Sequence, residues 1–148
     1  MIDRAHIGRT WPAWEVDIEK GRLRTLARAI GETRPIYVDE EAAQAAGFRS
    51  ILAPLTLPFC LLMDDPAGLG YLADLGIPVG RMLHAEEKVI PHQPICAGDR
   101  LRVQRRVRDM YSKKNGTLDF VVFGLDVRRA STGELVAESE STLVVRHD

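Results

Sequence analysis

Residues 81 to the end of the chain alternate apolar and polar positions almost without a break, and this constrains the fold more than any other feature. RMLHAEEKVIP, DRLRVQRRVRDMYSKK, GTLDFVVFGLDVRRA and GELVAESESTLVVRH are four long segments rich in Val and Leu, separated by AGD, NG and TG turn signals. Period two over such lengths predicts four strands in an antiparallel meander. Leu101, Val103 and Val107 alternate with arginines, and Leu135, Ala137, Leu143 and Val145 with polar residues, so the sheet has one wet face and one that needs a cover. The basic clusters RLRVQRRVR and VRR read as part of the wet face.

The cover comes from the first half. ILAPLTLPFCLLM (51–63) is apolar almost all round and has Pro58 where a first helical turn tolerates proline, so it predicts a central helix buried on every side. It is too short, and too rich in proline, to span a bilayer. Upstream, WEVDIEKGRLRTLARAIG places Leu23, Leu26, Ala27 and Ile30 on one helical face, with Asp17 as N-cap and Gly31 as stop. Asp39, followed by Glu40 and Glu41, suits the start of a second, short helix ending at Gly47. The turn-rich stretch 64–80 predicts a loop with one helical turn at a pocket rim. Together these define an α+β chain, one domain over 1–148, with a sheet wrapped around a central helix.

Composition narrows the function. The 148 residues are 45% hydrophobic, with a formal net charge of −1, which gives no electrostatic footprint for nucleic acid. Cys60 and Cys96 are far apart and have no metal-ligand spacing, so they predict free thiols in a reducing compartment and no metal site. MIDRAHIGRT lacks the apolar core of a signal peptide, so a soluble cytoplasmic protein without membrane contact is expected. The edge of a long antiparallel sheet predicts self-association, with a homodimer as the expectation.

Four segments carry a resemblance that covers nearly the whole chain: residues 7–48, ILAPLTLPF (51–59), MLHAEEKVIPHQPICAGDRL (82–101) and TGELVAESESTLVV (132–145). In order and spacing they resemble the MaoC-like hot-dog family, N-terminal or FAS1-like dehydratase type. The resemblance implies a bent antiparallel sheet around a long central helix, commonly dimerised. It also implies reversible hydration of 2-enoyl thioesters to (R)-3-hydroxyacyl thioesters. Coenzyme A or acyl carrier protein enters as substrate carrier, and no further cofactor is implied.

That chemistry needs a base for the α-proton, an acid for the departing hydroxyl and donors for the thioester oxygen. The central helix N-terminus, with Pro54, Thr56 and Leu57, suits the last task. In active (R)-hydratases the loop reads Gly-Asp-x-Asn-Pro-aliphatic-His. Here it reads Gly31, Glu32, Thr33, Arg34, Pro35, Ile36, Tyr37. Glu32 is one methylene longer than Asp, and Tyr37, with an ordinary pKa of about 10, is a poor base. Arg34 can pair with Glu32, bind a substrate carboxylate or contact a coenzyme A phosphate.

A second candidate pair lies in MLHAEEKV, where a regular strand would turn His84 and Glu86 to the same face. The competing reading is a histidine hydrogen-bonded within the sheet or at a dimer seam. His92, between prolines, and Asp99, in a turn, read as structural; Trp11 and Trp14 read as packing over the first helix or as a lid. Three functions follow. The first is a dehydratase or hydratase using Glu32, Tyr37, His84 and Glu86. The second is a non-catalytic acyl-binding subunit beside a catalytic hot-dog partner. The third is a hot-dog thioesterase, since one fold hosts several reactions.

Overall fold

The computed structural model describes residues 2–147. Five antiparallel strands form one sheet: β1 (Trp14–Asp17), β2 (Met82–Pro91), β3 (Arg100–Lys113), β4 (Leu118–Arg129) and β5 (Leu135–Arg146). Their spatial order is β1-β3-β4-β5-β2. Only β3, β4 and β5 form the expected meander; β2 crosses to the far edge and pairs with β5. The loop signal AGD joins strands that are not neighbours, because turn residues reverse a chain without fixing its next partner.

β1 is absent from the sequence expectation. Trp14 and Val16 are buried while Glu15 and Asp17 are exposed, so four alternating residues complete the sheet's other edge against β3. Asp17 therefore ends a strand, and the helix α1 (Lys20–Ala29) starts after Glu19 without a side-chain cap. Leu23 and Ala27 seat α1 on the core, while Ile30 faces solvent. Gly31, at φ +72°, stops the helix where its left-handed backbone lets Glu32 N–H reach Ala27 C=O. The short α2 (Glu40–Ala45) is capped as expected, Asp39 accepting from Ala42 N–H at 2.7 Å.

The central helix is shorter than expected. It is one α-helical turn, α3 (Leu57–Cys60), continued by a 3-10 turn over Leu61–Asp64. Pro58 removes a donor from a segment already too short for a long hydrogen-bond ladder, and the turn residues from Asp64 onward end it. Leu57 and Leu61 are nonetheless fully buried, each contributing about 2 kcal/mol of apolar burial. A further turn, α4 (Gly70–Ala73), carries Leu72 into a second cluster with Val107, Met110, Val121 and Phe123. Trp11 packs there, against Tyr71 and Phe123, rather than over α1; Trp14 joins the main core with Leu23.

The inner face of the sheet is mostly apolar, with a few buried polar residues such as Ser139 and Ser141, and it carries one buried cation, in β3. Arg105 shares parity with Leu101, Val103 and Val107, and is 2% exposed, so it is not part of the wet face. Three irregularities shift the register: one between Val107 and Asp109 in β3, one between His84 and Glu86 in β2, and one between Val127 and Arg128 in β4, opposite Val136 of β5. No helix among the described residues is long and apolar enough to cross a membrane. Cys60 and Cys96 are free, and burial pushes the Cys60 thiol pKa up.

Candidate functional site

The loop between α1 and α2 keeps its shape through internal contacts. Arg34 clasps Glu32 from three donors: its backbone N–H and Nε both reach Oε1, at 3.0 and 3.1 Å, and Nη2 reaches Oε2 at 2.7 Å. Nη2 also donates to the Tyr37 hydroxyl at 3.2 Å, and the guanidinium lies 4.9 Å from the Tyr37 ring centroid. The side-chain hydrogen bond from Arg34 pulls the Glu32 carboxyl well below its ordinary value, to about 2. Tyr37 is buried, and Ile36 C=O accepts from Leu52 N–H, tying the loop to the segment before α3. Of the three alternatives for Arg34, the structure shows the intramolecular pair with Glu32.

Glu32, Arg34 and Tyr37 thus come together, but as a closed cluster. None of them lines either of the two larger apolar cavities. One cavity, of about 350 Å³, lies beside the start of α3, between Pro54, Leu55 and Pro58 and the β2 end at Val89 and Pro91. Pro54 is the only expected binding residue on its wall. Thr56 is exposed, and Leu57 is sealed in the core with its N–H bonded to Pro54 C=O at 2.9 Å. With prolines at 54 and 58 and a helix of four residues, the α3 N-terminus offers fewer free donors than its sequence suggests.

The other cavity, of about 430 Å³, lies between the central segment and the inner face of the sheet. Phe59, Leu62 and Met63 form one side; Phe123, Leu125 and Leu143 form the opposite wall. His84 stands on its rim, 41% exposed, with its ring 5.2 Å from that of Phe59. Arg105 also lines it.

Glu86 does not accompany His84. Ala85 is an extra residue in β2: His84 pairs with Leu143 and Glu86 with Thr142, so the bulge turns Glu86 outward and Glu87 inward. His84 Nε2 lies 3.3 Å from Glu87 Oε2, and the Ser141 hydroxyl donates to the same oxygen. The other oxygen, Glu87 Oε1, is buried and has no partner among the described residues. Glu87, not Glu86, is the carboxylate beside His84, and sequence reasoning missed it. The signal was there, because Met82 and Val89 both face the core seven positions apart, an odd spacing that a regular strand forbids.

Asp99 holds a turn, as expected, while His92 is hydrogen-bonded to Glu138 and also lines the cavity beside α3. His92 Nε2 meets Glu138 Oε2 at 2.9 Å, and Asp99 accepts from Cys96 N–H at 2.9 Å while pairing with Arg49 and Arg129. No group of three or more His, Cys, Asp or Glu among the described residues is placed to hold a metal ion.

A short helix under a five-stranded antiparallel sheet, with an apolar cavity between them, is the hot-dog fold shared with MaoC-like dehydratases. Residues 5–139 match the family of the FAS1-like, dehydratase domain region, and the chain belongs to that family. A UPF0336 protein of Saccharopolyspora erythraea is 35% identical over 98% of this chain and 92% of its own. The HadBC (3R-hydroxyacyl-ACP dehydratase) complex of Mycobacterium tuberculosis contains a chain similar in structure, with a TM-score of 0.78 and 26% identity. The match covers 94% of this chain and 96% of that one. The R-hydratase PhaJ1 of Pseudomonas aeruginosa shares the fold, with a TM-score of 0.71, 18% identity, and coverage of 96% and 83% of the two chains.

Proposed function

We propose that this chain is the acyl-binding subunit of a two-chain (R)-3-hydroxyacyl thioester dehydratase, with the acid/base pair on a second hot-dog subunit. One observation carries the reading: the carboxylate at the expected catalytic position is held by Arg34 and has a pKa of about 2. So acidic a group has negligible affinity for the α-proton at neutral pH, where a general base works best with a pKa near 7. The residue standing for histidine, Tyr37, is buried against Arg34. The cavity beneath the sheet is meanwhile open, apolar and of ligand size.

The division of labour also accounts for β2. It has one strand partner, β5, and its far edge presents free backbone groups along ten residues. Leu83, Phe59 and Met63 expose apolar surface close to that strand. A second hot-dog domain pairing there would extend the sheet and bring its own acid and base to the rim marked by His84. The substrate arrives on coenzyme A or acyl carrier protein, and no other cofactor enters the reading.

A second reading rests on the His84–Glu87–Ser141 chain at the cavity rim. A carboxylate fixed by a hydroxyl can orient a histidine, so His84 would act as acid/base in a self-sufficient hydratase. The test is hydration of 2-enoyl-CoA by the purified chain alone, and after mixing with a hot-dog subunit of the same organism that carries the Asp/His loop. Activity only in the mixture, with co-elution of both chains, is the expected result. Turnover by the chain alone, abolished by His84→Ala, would replace the first reading with the second. Release of free thiol from acyl-CoA by the chain alone would replace both with thioester hydrolysis.

A further inference from the structure

Arg105 is a charged side chain in the wall of an otherwise apolar cavity. It is 2% exposed, yet it lines the space between the central segment and the sheet. Its Nη1 donates to Asp65 Oδ2 at 2.9 Å, and Asp65 is 7% exposed, so both charges are out of water. Asp65 is itself fixed, its other oxygen accepting from Ala67 N–H at 2.9 Å. The guanidinium carbon sits 3.7 Å from the centroid of Tyr71 and 5.5 Å from that of Trp14, so aromatic faces hold its plane.

A guanidinium has five N–H donors, and one contact with Asp65 does not use them. Among the described residues the Arg105 side chain makes one hydrogen bond, from Nη1 to Asp65, so the guanidinium keeps donors for a ligand in the cavity that it lines. An apolar occupant of that cavity offers them no acceptor. Leaving such donors dry costs about 1 to 3 kcal/mol, and more for a charged group. A cavity meant only for hydrocarbon gains nothing from them.

We infer that Arg105 selects an acyl chain carrying a neutral oxygen acceptor, a hydroxyl or a carbonyl, remote from the thioester. This rests on the reading of the cavity as the acyl site. The position is remote because His84 marks the open rim on β2, and Arg105 lies on β3, beyond β5 and β4 in the strand order. The acceptor is neutral because Asp65 already balances Arg105. A carboxylate would leave a net negative charge in an apolar site, which is costly to bury. A hydroxyl or keto oxygen satisfies the donors and adds no charge.

The test is direct binding of coenzyme A thioesters to the full chain by calorimetry. It uses a ladder of chain lengths, each length as a saturated acyl group, its ω-hydroxy or ω-keto analogue and its ω-carboxy analogue. At the length that reaches Arg105, the neutral oxygenated analogue is expected to bind about tenfold tighter than both others, the increment of one well-formed hydrogen bond to a charged donor. The double variant Arg105→Met with Asp65→Asn removes both charges and is expected to abolish that preference while keeping saturated chains bound. Equal or tighter binding of the saturated chain at every length would overturn the inference and leave the acyl site standing, and carboxylate preference would overturn the neutral-acceptor assignment. Failure of all acyl-CoA thioesters to bind would overturn the acyl-binding function itself. The wild-type comparison does not depend on whether the variant folds.

Discussion

The loop at residues 31–37 and the cavity under the sheet both carry an arginine paired with a carboxylate, and they use it in opposite ways. At the loop, Arg34 meets Glu32 through backbone and side-chain donors, and turns its remaining capacity to Tyr37. At the cavity, Arg105 lines the wall and makes one hydrogen bond, to Asp65, while Glu87 Oε1 has no partner among the described residues. A polar cluster whose hydrogen bonds are complete fixes backbone shape. One whose hydrogen bonds are incomplete, in a cavity, is where a ligand finds partners. On the proposed reading, the residues that the reaction's chemistry first points to hold the loop and the cavity takes the ligand.

The largest effect should come from breaking the buried pair. Arg105→Ala leaves the Asp65 carboxylate without its partner in a dry site, and about 3 to 5 kcal/mol of stability should be lost in urea or guanidinium unfolding. Removing both charges by Arg105→Met with Asp65→Leu should recover most of it, since a hydrophobic replacement has no desolvation penalty. Arg34→Ala should lower the unfolding midpoint by less, because its side chain is 65% exposed and solvent screens its pair with Glu32. Equal losses at the two arginines would remove the distinction between the sites.

A smaller contrast lies along β2. Glu87→Ala breaks the contacts with Ser141 and His84 and should cost about 1 to 3 kcal/mol. Glu86→Ala, on the exposed outer side of the bulge, should stay within about 0.5 kcal/mol. The reverse order would mean that β2 runs without the bulge and that His84 and Glu86 share a face.

Much of the fold was legible because apolar periodicity reports burial directly. The four long strands, the Asp39 cap and the Gly31 stop follow from local rules, and each stands in the structure. β1 was lost because four residues make a weak period-two signal next to a strong helical one. The strand order was lost because β2 and β5 are joined by no turn. The bulge at Ala85 was hidden by assuming a constant period, which moved the site pair from His84 and Glu87 to His84 and Glu86. Arg105 was hidden by composition, since the other four arginines in RLRVQRRVR are not buried and its parity with Val103 and Val107 was outweighed by its charge. Local propensity was thus readable; what failed were residues whose tertiary partners, Asp65 and Ser141, lie 40 and 54 positions away from them.

The finest test of the comparison is the titration of Glu32. Its folded pKa is about 2, lowered chiefly by the Arg34 hydrogen bonds, against an ordinary value of 4.5. A depressed carboxyl pKa means that the folded state binds the proton less readily than the unfolded chain does. The associated stabilisation is complete above pH 4.5 and fades as pH falls through the folded value, and at neutral pH it does not change. Carboxyl carbon NMR shifts of the folded protein should place the Glu32 midpoint far below those of exposed glutamates, and Arg34→Ala should return it toward 4.5. Catalysis by the assembled two-chain enzyme should meanwhile be insensitive to Glu32→Gln at neutral pH, since the amide keeps a hydrogen-bonded acceptor for Arg34 without any proton to exchange. A midpoint near neutrality, or a loss of turnover in Glu32→Gln comparable to removal of the partner's base, would make the loop catalytic and erase the contrast with the cavity.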